Sequence, residues 1–170
     1  MTNERVMIDL ETLGTVPGSV ILSIGAVRFG EGKILGEFYR RIDLDSAVAA
    51  GLVMDPHTVM WWMRQSDSAQ AEILKAGEPL DLVLKDFSEW LGSHYAGELW
   101  GNGSDFDNVL LEAAFKAVKR TVAWGWSKNR CYRTVKSLFP AVKLERSGVH
   151  HHALDDARDQ AVHLMRILGQ

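Results

Sequence analysis

The sequence predicts a mixed α/β domain in which helices pack on a central sheet. Three observations lead there. Three β-rich runs fall within the first 42 residues, two amphipathic stretches flank a short apolar run in the middle, and a helical pattern fills the C-terminal end.

The elements follow in order. "RVMIDLE", from Arg5 to Glu11, alternates so that Val6, Ile8 and Leu10 share one face of a short buried strand. "GSVILSIGAVRF" and "KILGEFYRRI" read as the second and third strands, with a hairpin turn at the glycines of "GEGK". Asp55-Pro56 ahead of "HTVMWWMRQS" is a capped helix start with proline at the first helical position. Helices are expected across "LDLVLKDFSEWLGSH" and "FDNVLLEAAFKAVKR", with "GELWGN" as a short strand between them. The last helix is expected from about Ala153 to Leu168, packing through Ala153, Ala157, Ala161, Leu164 and Leu168.

A chain of 170 residues fits one domain covering 1–170, and 46% hydrophobic with 24% charged residues is ordinary for a soluble protein. No apolar run approaches the roughly 20 residues of a membrane span, and no basic stretch leads into an apolar leader, so no membrane partner is expected. The single cysteine, Cys131, excludes an internal disulfide and a multi-cysteine zinc site, and it suits a cytoplasmic location. The net charge of −3 is unevenly spread. From Lys116 to Arg146 nine basic residues face one acid, giving +8, and the rest of the chain carries −11. A basic segment on an acidic body is a candidate phosphate-facing surface.

Three groups of acids stand out. Asp9 and Glu11, two apart on the first strand, project to one face beside Met7, where the strand gives way to a glycine-containing loop. In "WGNGSDFDNVLLEAAF", Asp107 shares a helical stripe with Leu110, Leu111 and Ala114, whereas Asp105 falls where a capping residue belongs. Asp107 is therefore read as the functional acid and Asp105 as the structural one. In "GVHHHALDDARDQA" the HxxxxD spacing occurs twice, as His150 to Asp155 and His151 to Asp156, and helical periodicity does not separate the two. A zinc site built from the three histidines themselves is not expected. Adjacent loop residues seldom point at one ion, and thiolates are lacking. Carboxylates on separate elements suit hard Mg²⁺ or Mn²⁺ and leave a histidine free to move a proton.

DxE on the first strand, FD opening a middle helix and HxALxDA opening the last helix read here as "IDLET", "GNGSDFDNVLL" and "HHALDDA". In this order they resemble the DEDDh 3′-5′ exonucleases of the ribonuclease H-like superfamily. "DLETLGTVPGSVILSIGAVRF", "TVMWWMRQS" and "WGNGSDFDNVLL" are most similar to the branch that holds RNase AS and the phage exonuclease A-type enzymes. One departure is Gly101-Asn102, with an extra residue before Phe106, where the family usually has HN.

The resemblance implies a ribonuclease H-like (DnaQ-like) fold, with a five-stranded mixed sheet whose second strand is antiparallel to the others. It aligns His151 and Asp156 as the functional pair. It further implies two divalent cations, Mg²⁺ or Mn²⁺, held by Asp9, Glu11, Asp107 and Asp156, with His151 as general base. One cation would activate a water and the other stabilise the departing 3′ oxygen of a phosphodiester. The expected partner is the 3′ end of single-stranded RNA or DNA, released as nucleoside 5′-monophosphates, and the chain is expected to form a homodimer. For substrate contact the loop residues Thr12, Leu13 and Gly14, the aromatics Trp61 and Trp62, Asn102, and Arg130 and Arg133 of the basic segment are the candidates. Neighbouring positions on a helix differ by about 100°, so at most one of the two tryptophans is expected to pack inward, leaving its neighbour to face the cleft. Two other readings are an inactive nucleic-acid-binding module and an accessory that works with a partner. Retention of all five functional positions argues against the first, and the absence of a recognisable tethering tail against the second.

Overall fold

The computed structural model describes residues 4–169. Strand β1 (Arg5–Thr12) is largely buried on both faces, and it lies at the centre of a five-stranded sheet of order β3-β2-β1-β4-β5. β2 (Ile21–Gly30) runs antiparallel to β1 and to β3 (Lys33–Arg41), while β4 (Glu98–Gly101) and β5 (Asn129–Cys131) continue parallel to β1. The second strand alone runs against the rest, as the resemblance implied.

The alternation along β1 divides the core. Val6, Ile8 and Leu10 pack with β2 residues, with Val83, Leu84 and Phe87 of α4 (Leu80–Leu91), and with Leu110, Leu111 and Ala114 of α5 (Asp107–Ala117). Met7, on the opposite face, packs with Tyr132 of α6 (Tyr132–Leu138) and with Ala157, Ala161 and Leu164 of α7 (Ala153–Ile167). Each large aliphatic side chain buried in this way stabilises the fold by about 1.5–3 kcal/mol. No helix among the described residues is long and apolar enough to cross a membrane.

Four elements are too short for periodicity to announce: α1 (Leu44–Ala49), α3 (Asp67–Ile73), α6 and the three-residue β5. α2 (Pro56–Trp62) begins as expected, with the Asp55 carboxylate accepting from the N–H groups of His57 and Thr58. α4 stops at Leu91 because Gly92 turns to φ 92°, and α7 stops at Ile167, leaving Leu168 outside the packing stripe and exposed. The expected cap of α5 is corrected. The helix starts at Asp107 with Phe106 as its N-cap, no side chain caps it, and Asp105 is exposed.

Two glycines set how closely helices approach the sheet. A Cβ on Gly25 of β2 would lie 2.2 Å from the backbone of Ala153, so glycine there lets the start of α7 settle against the strand that pairs with Asp9. A Cβ on Gly101 would lie 2.2 Å from Asn108 Oδ1, so the end of β4 can touch the start of α5.

Candidate active site

Asp9 and Glu11 leave β1 on the face that carries α7, and Asp156 comes from the first turn of α7. Oxygens of these three carboxylates all lie within 4.8 Å of one another. That spacing fits a hard cation, since an octahedral Mg²⁺ with bonds of about 2.1 Å spans about 4.2 Å between opposite ligands. Asp107 falls outside the set. Its Oδ1 accepts from the Leu10 N–H (3.1 Å) and its Oδ2 from the Asn102 N–H (2.6 Å), which fixes it at the carboxyl end of β1 and β4.

Glu11, Asp107 and Asp156 are buried, and like charges so placed repel each other. Burial, then the neighbouring Asp156 and Asp107, push Glu11 up to about 8. Burial pushes Asp107 up to about 6 against the backbone N–H groups of Asn102 and Leu10, which favour its anion. Asp9 is held well above the carboxylate range by burial first and by Asp107, Glu11 and Asp156 next. The Gln160 amide opposes this by donating to Asp9 Oδ1 at 2.7 Å. Gln160 Oε1 is buried with no partner among the described residues, an acceptor suited to a water carried in with a cation. A cluster so reluctant to ionise calls for added positive charge, which divalent cations supply.

The segment between α6 and α7 brings in His151 and is tied to α7 along its length. His163 bridges Tyr132 Oη (2.6 Å) and the Val142 carbonyl (2.8 Å). The carbonyl can only accept, so the proton sits on Nε2 and the Tyr132 hydroxyl donates to Nδ1. Ser147 donates to Asp159 through its N–H and its hydroxyl. The Val149 N–H donates to Asp155 (3.0 Å) and the His151 N–H to Asp156 Oδ2 (3.1 Å). Asp155 thus pins the loop while Asp156 faces the cluster, and His152 caps α7.

His151 itself has φ 64°, and its ring stands edge-on to Trp61 (5.0 Å) and Trp62 (5.8 Å). Burial, helped by His150, lowers its pKa below the usual 6.5 against the pull of Asp156. The imidazole is therefore neutral at pH 7 and able to accept a proton. Arg146 Nη1 pairs with Asp156 Oδ1 at 2.5 Å. The groups line one cleft of about 630 Å³, the size of a small-ligand site, which takes in Asp9, Glu11, His151 and Asp156 together with Trp61.

A model of the 3′-5′ exoribonuclease Rv2179c-like domain matches residues 4–168. The chain belongs to that family. It is a 3′-5′ exonuclease. No curated protein matches it. Among solved structures it is similar to the nuclease domain of 3′hExo, a DEDDh family member bound to rAMP, at 15% identity and TM-score 0.65 over 99% of this chain and 92% of that one. It is similar to E. coli exonuclease I in complex with a dT13 oligonucleotide at 16% identity and TM-score 0.66, over 99% of this chain and 43% of that one. Exonuclease X in complex with 5′ overhanging duplex DNA shares 19% identity and a TM-score of 0.55 over 97% and 91% of the two chains. These neighbours carry the same fold. The Rv2179c-like chain thus spans nearly all of two of them and less than half of exonuclease I.

The remaining candidates of this Rv2179c-like exonuclease divide. Thr12, Trp61, Trp62, Asn102 and Arg133 line the cleft. Trp62 is the inward tryptophan, 2% exposed, with its indole N–H donating to the Thr12 carbonyl at 2.9 Å, while Trp61 is 42% exposed. Leu13 is buried in the core, and Gly14 packs against Ser19, so neither forms the cleft wall. Arg130 is brought elsewhere. Its guanidinium pairs with Glu98 (3.0 Å) and donates to the Ser127 carbonyl, away from the carboxylates. Cys131 accepts from Thr134 as the cap of α6, the structural reading of that residue. Two cleft residues that bond the clustered acids escaped the sequence reading. Gln160 carried a signal, one helical turn after Asp156. Arg146 lay within the basic segment, but nothing in its spacing aimed it at Asp156.

Proposed function

We propose that this exonuclease works with two divalent cations, Mg²⁺ or Mn²⁺, on the 3′ end of single-stranded RNA, releasing nucleoside 5′-monophosphates. The observation that carries the reading is the convergence of Asp9, Glu11 and Asp156 within 4.8 Å, with Asp107 beside them and neutral His151 lining the same cleft. When bound, the cations supply the Lewis acidity that activates a water and offset charge on the phosphate and the departing oxygen. Asp9, Glu11 and Asp156 would hold them, and Asp107 would complete the charge balance from its backbone cradle. The neutral imidazole of His151 takes the proton of the attacking water, and the bond from the His151 backbone N–H to Asp156 keeps the residue at the cluster. Trp61 offers a face on which a base can stack without being identified. Arg133 and Arg146, both in the cleft, carry the positive charge that meets phosphates.

RNA is favoured over DNA by the family to which the chain belongs, although the neighbours of like fold were solved with rAMP or with DNA. A homodimer is part of the same proposal and rests on the resemblance alone. Sedimentation would show a monomer if it is wrong. The test of the chemistry uses 5′-labelled RNA and DNA of matched sequence with Mg²⁺ or Mn²⁺. The expected result is stepwise shortening from the 3′ end, faster on RNA, abolished by EDTA and in Asp9→Ala and His151→Ala. Internal cleavage, products with a 3′-phosphate or equal rates on DNA would contradict it.

A further inference from the structure

We propose that His150, His151 and Asp156 form a second cation site, suited to Zn²⁺ rather than Mg²⁺ or Mn²⁺, whose occupation takes the general base out of service. The sequence argues the other way, because neighbouring loop residues normally point apart. The backbone removes that objection. His151 adopts φ 64°, its N–H is tied to Asp156 Oδ2 at 3.1 Å, and the resulting turn leaves the His150 and His151 rings 3.8 Å apart between centroids. Ligand atoms of His150, His151 and Asp156 all lie within 4.8 Å of one another.

Tetrahedral zinc with bonds of about 2.0–2.1 Å sets its ligands about 3.3 Å apart. His150 is exposed, so rotation of its ring can close the difference. The donor chemistry points the same way. Two imidazole nitrogens and one carboxylate, with a fourth position open to water, make a borderline-soft site. The three-carboxylate set of Asp9, Glu11 and Asp156 is a hard one. The two sets share Asp156. Zinc held by the histidines therefore removes one ligand from the hard site as well as occupying the ring that must accept a proton. Binding of zinc stands on this geometry alone, and its inhibitory consequence rests on the exonuclease mechanism proposed above.

Titration calorimetry of Zn²⁺ into chelator-treated protein, without nucleic acid, reads the site directly. Wild type should bind one equivalent. Since losing even an outer-sphere partner costs about 10–100-fold in metal affinity, His150→Ala should weaken zinc by at least about tenfold. Glu11→Gln, which alters only the hard set, should keep zinc affinity within about threefold of wild type, below ~1 kcal/mol. With Mg²⁺ and labelled RNA, His150→Ala should need about tenfold more Zn²⁺ than wild type for half inhibition, each protein measured against its own zinc-free rate. Unchanged zinc binding in His150→Ala with loss in Glu11→Gln would place zinc among the carboxylates and overturn the proposal, as would absence of zinc binding by wild type. If no protein cleaves RNA, the mechanism fails, and the calorimetry still decides the site.

Discussion

Between about pH 6.5 and 8 the cation-free protein is expected to lose stability, because Glu11 keeps a proton in the fold that it gives up in the unfolded chain. Its pKa rises from 4.5 to about 8 through burial and through Asp156 and Asp107. Across that window the folded state binds more protons than the unfolded state, so the free energy of unfolding falls as pH rises. The slope is about 1.4 kcal/mol per pH unit, or about 2 kcal/mol over the window. For a domain of this size that is a fall in Tm of about 4–8 °C. Asp9, raised by the same causes, adds in the same direction. His151, lowered from 6.5, works the opposite way, but above pH 6.5 its unfolded form is already at least half deprotonated, so it offsets at most about 0.4 kcal/mol. Carboxylates held low, such as Glu98 with Arg5 and Arg130, are ionised in both states here and add no slope. Thermal melts in EDTA at the two pH values, for wild type and Glu11→Gln, check the argument. The variant should lose at least half of the fall, and saturating Mn²⁺ should shrink it in wild type. A wild-type Tm that is flat or rising with pH, or a Glu11→Gln protein that falls as far as wild type, would refute the electrostatic account of the cleft.

Four further outcomes follow from particular contacts. Gly25→Ala places a methyl 2.2 Å from the Ala153 backbone, and urea unfolding should show a loss of about 1–3 kcal/mol with reduced activity as α7 is pushed away. Trp61→Ala should weaken single-strand binding by about 1–3 kcal/mol with little change in stability. Trp62→Ala should instead cost the fold about 3–5 kcal/mol, read by the same unfolding assay. Arg146→Ala should act with opposite signs on two ligands, because Arg146 competes with cations for Asp156 Oδ1. Mn²⁺ affinity should tighten by about two- to fivefold while oligonucleotide affinity weakens, both measured by calorimetry.

The parts of the site that sit on regular elements were legible in the sequence. Alternation along β1 separated Val6, Ile8 and Leu10 from Met7, Asp9 and Glu11, and the structure places the first three in one core, Met7 in the other, and the two acids with Asp156. The stripe through Asp107, Leu110, Leu111 and Ala114 likewise named the acid that α5 buries. Periodicity fell short where two neighbours lie at similar angles. Asp155 and Asp156 are separated by their bonds, one to the Val149 N–H and one to the His151 N–H, which depend on how the preceding loop folds. Long-range pairings were out of reach for the same reason. Nothing local announces that Arg146 meets Asp156, that Arg130 turns to Glu98, or that three residues at Asn129–Cys131 complete the sheet. The role expected of Asp105 failed by a register of one residue, because α5 starts only where the Asp107 carboxylate is met by the backbone of β1 and of Asn102.

If acids from β1, α5 and α7 form one cradle for hard cations, anomalous diffraction from crystals soaked in Mn²⁺ will show it without recourse to activity. The expected map has two strong peaks in contact with Asp9, Glu11 and Asp156, at least one of them within reach of Asp107, with Arg146 released from Asp156. An empty cleft at saturating Mn²⁺, or peaks bound only by surface carboxylates, would contradict it.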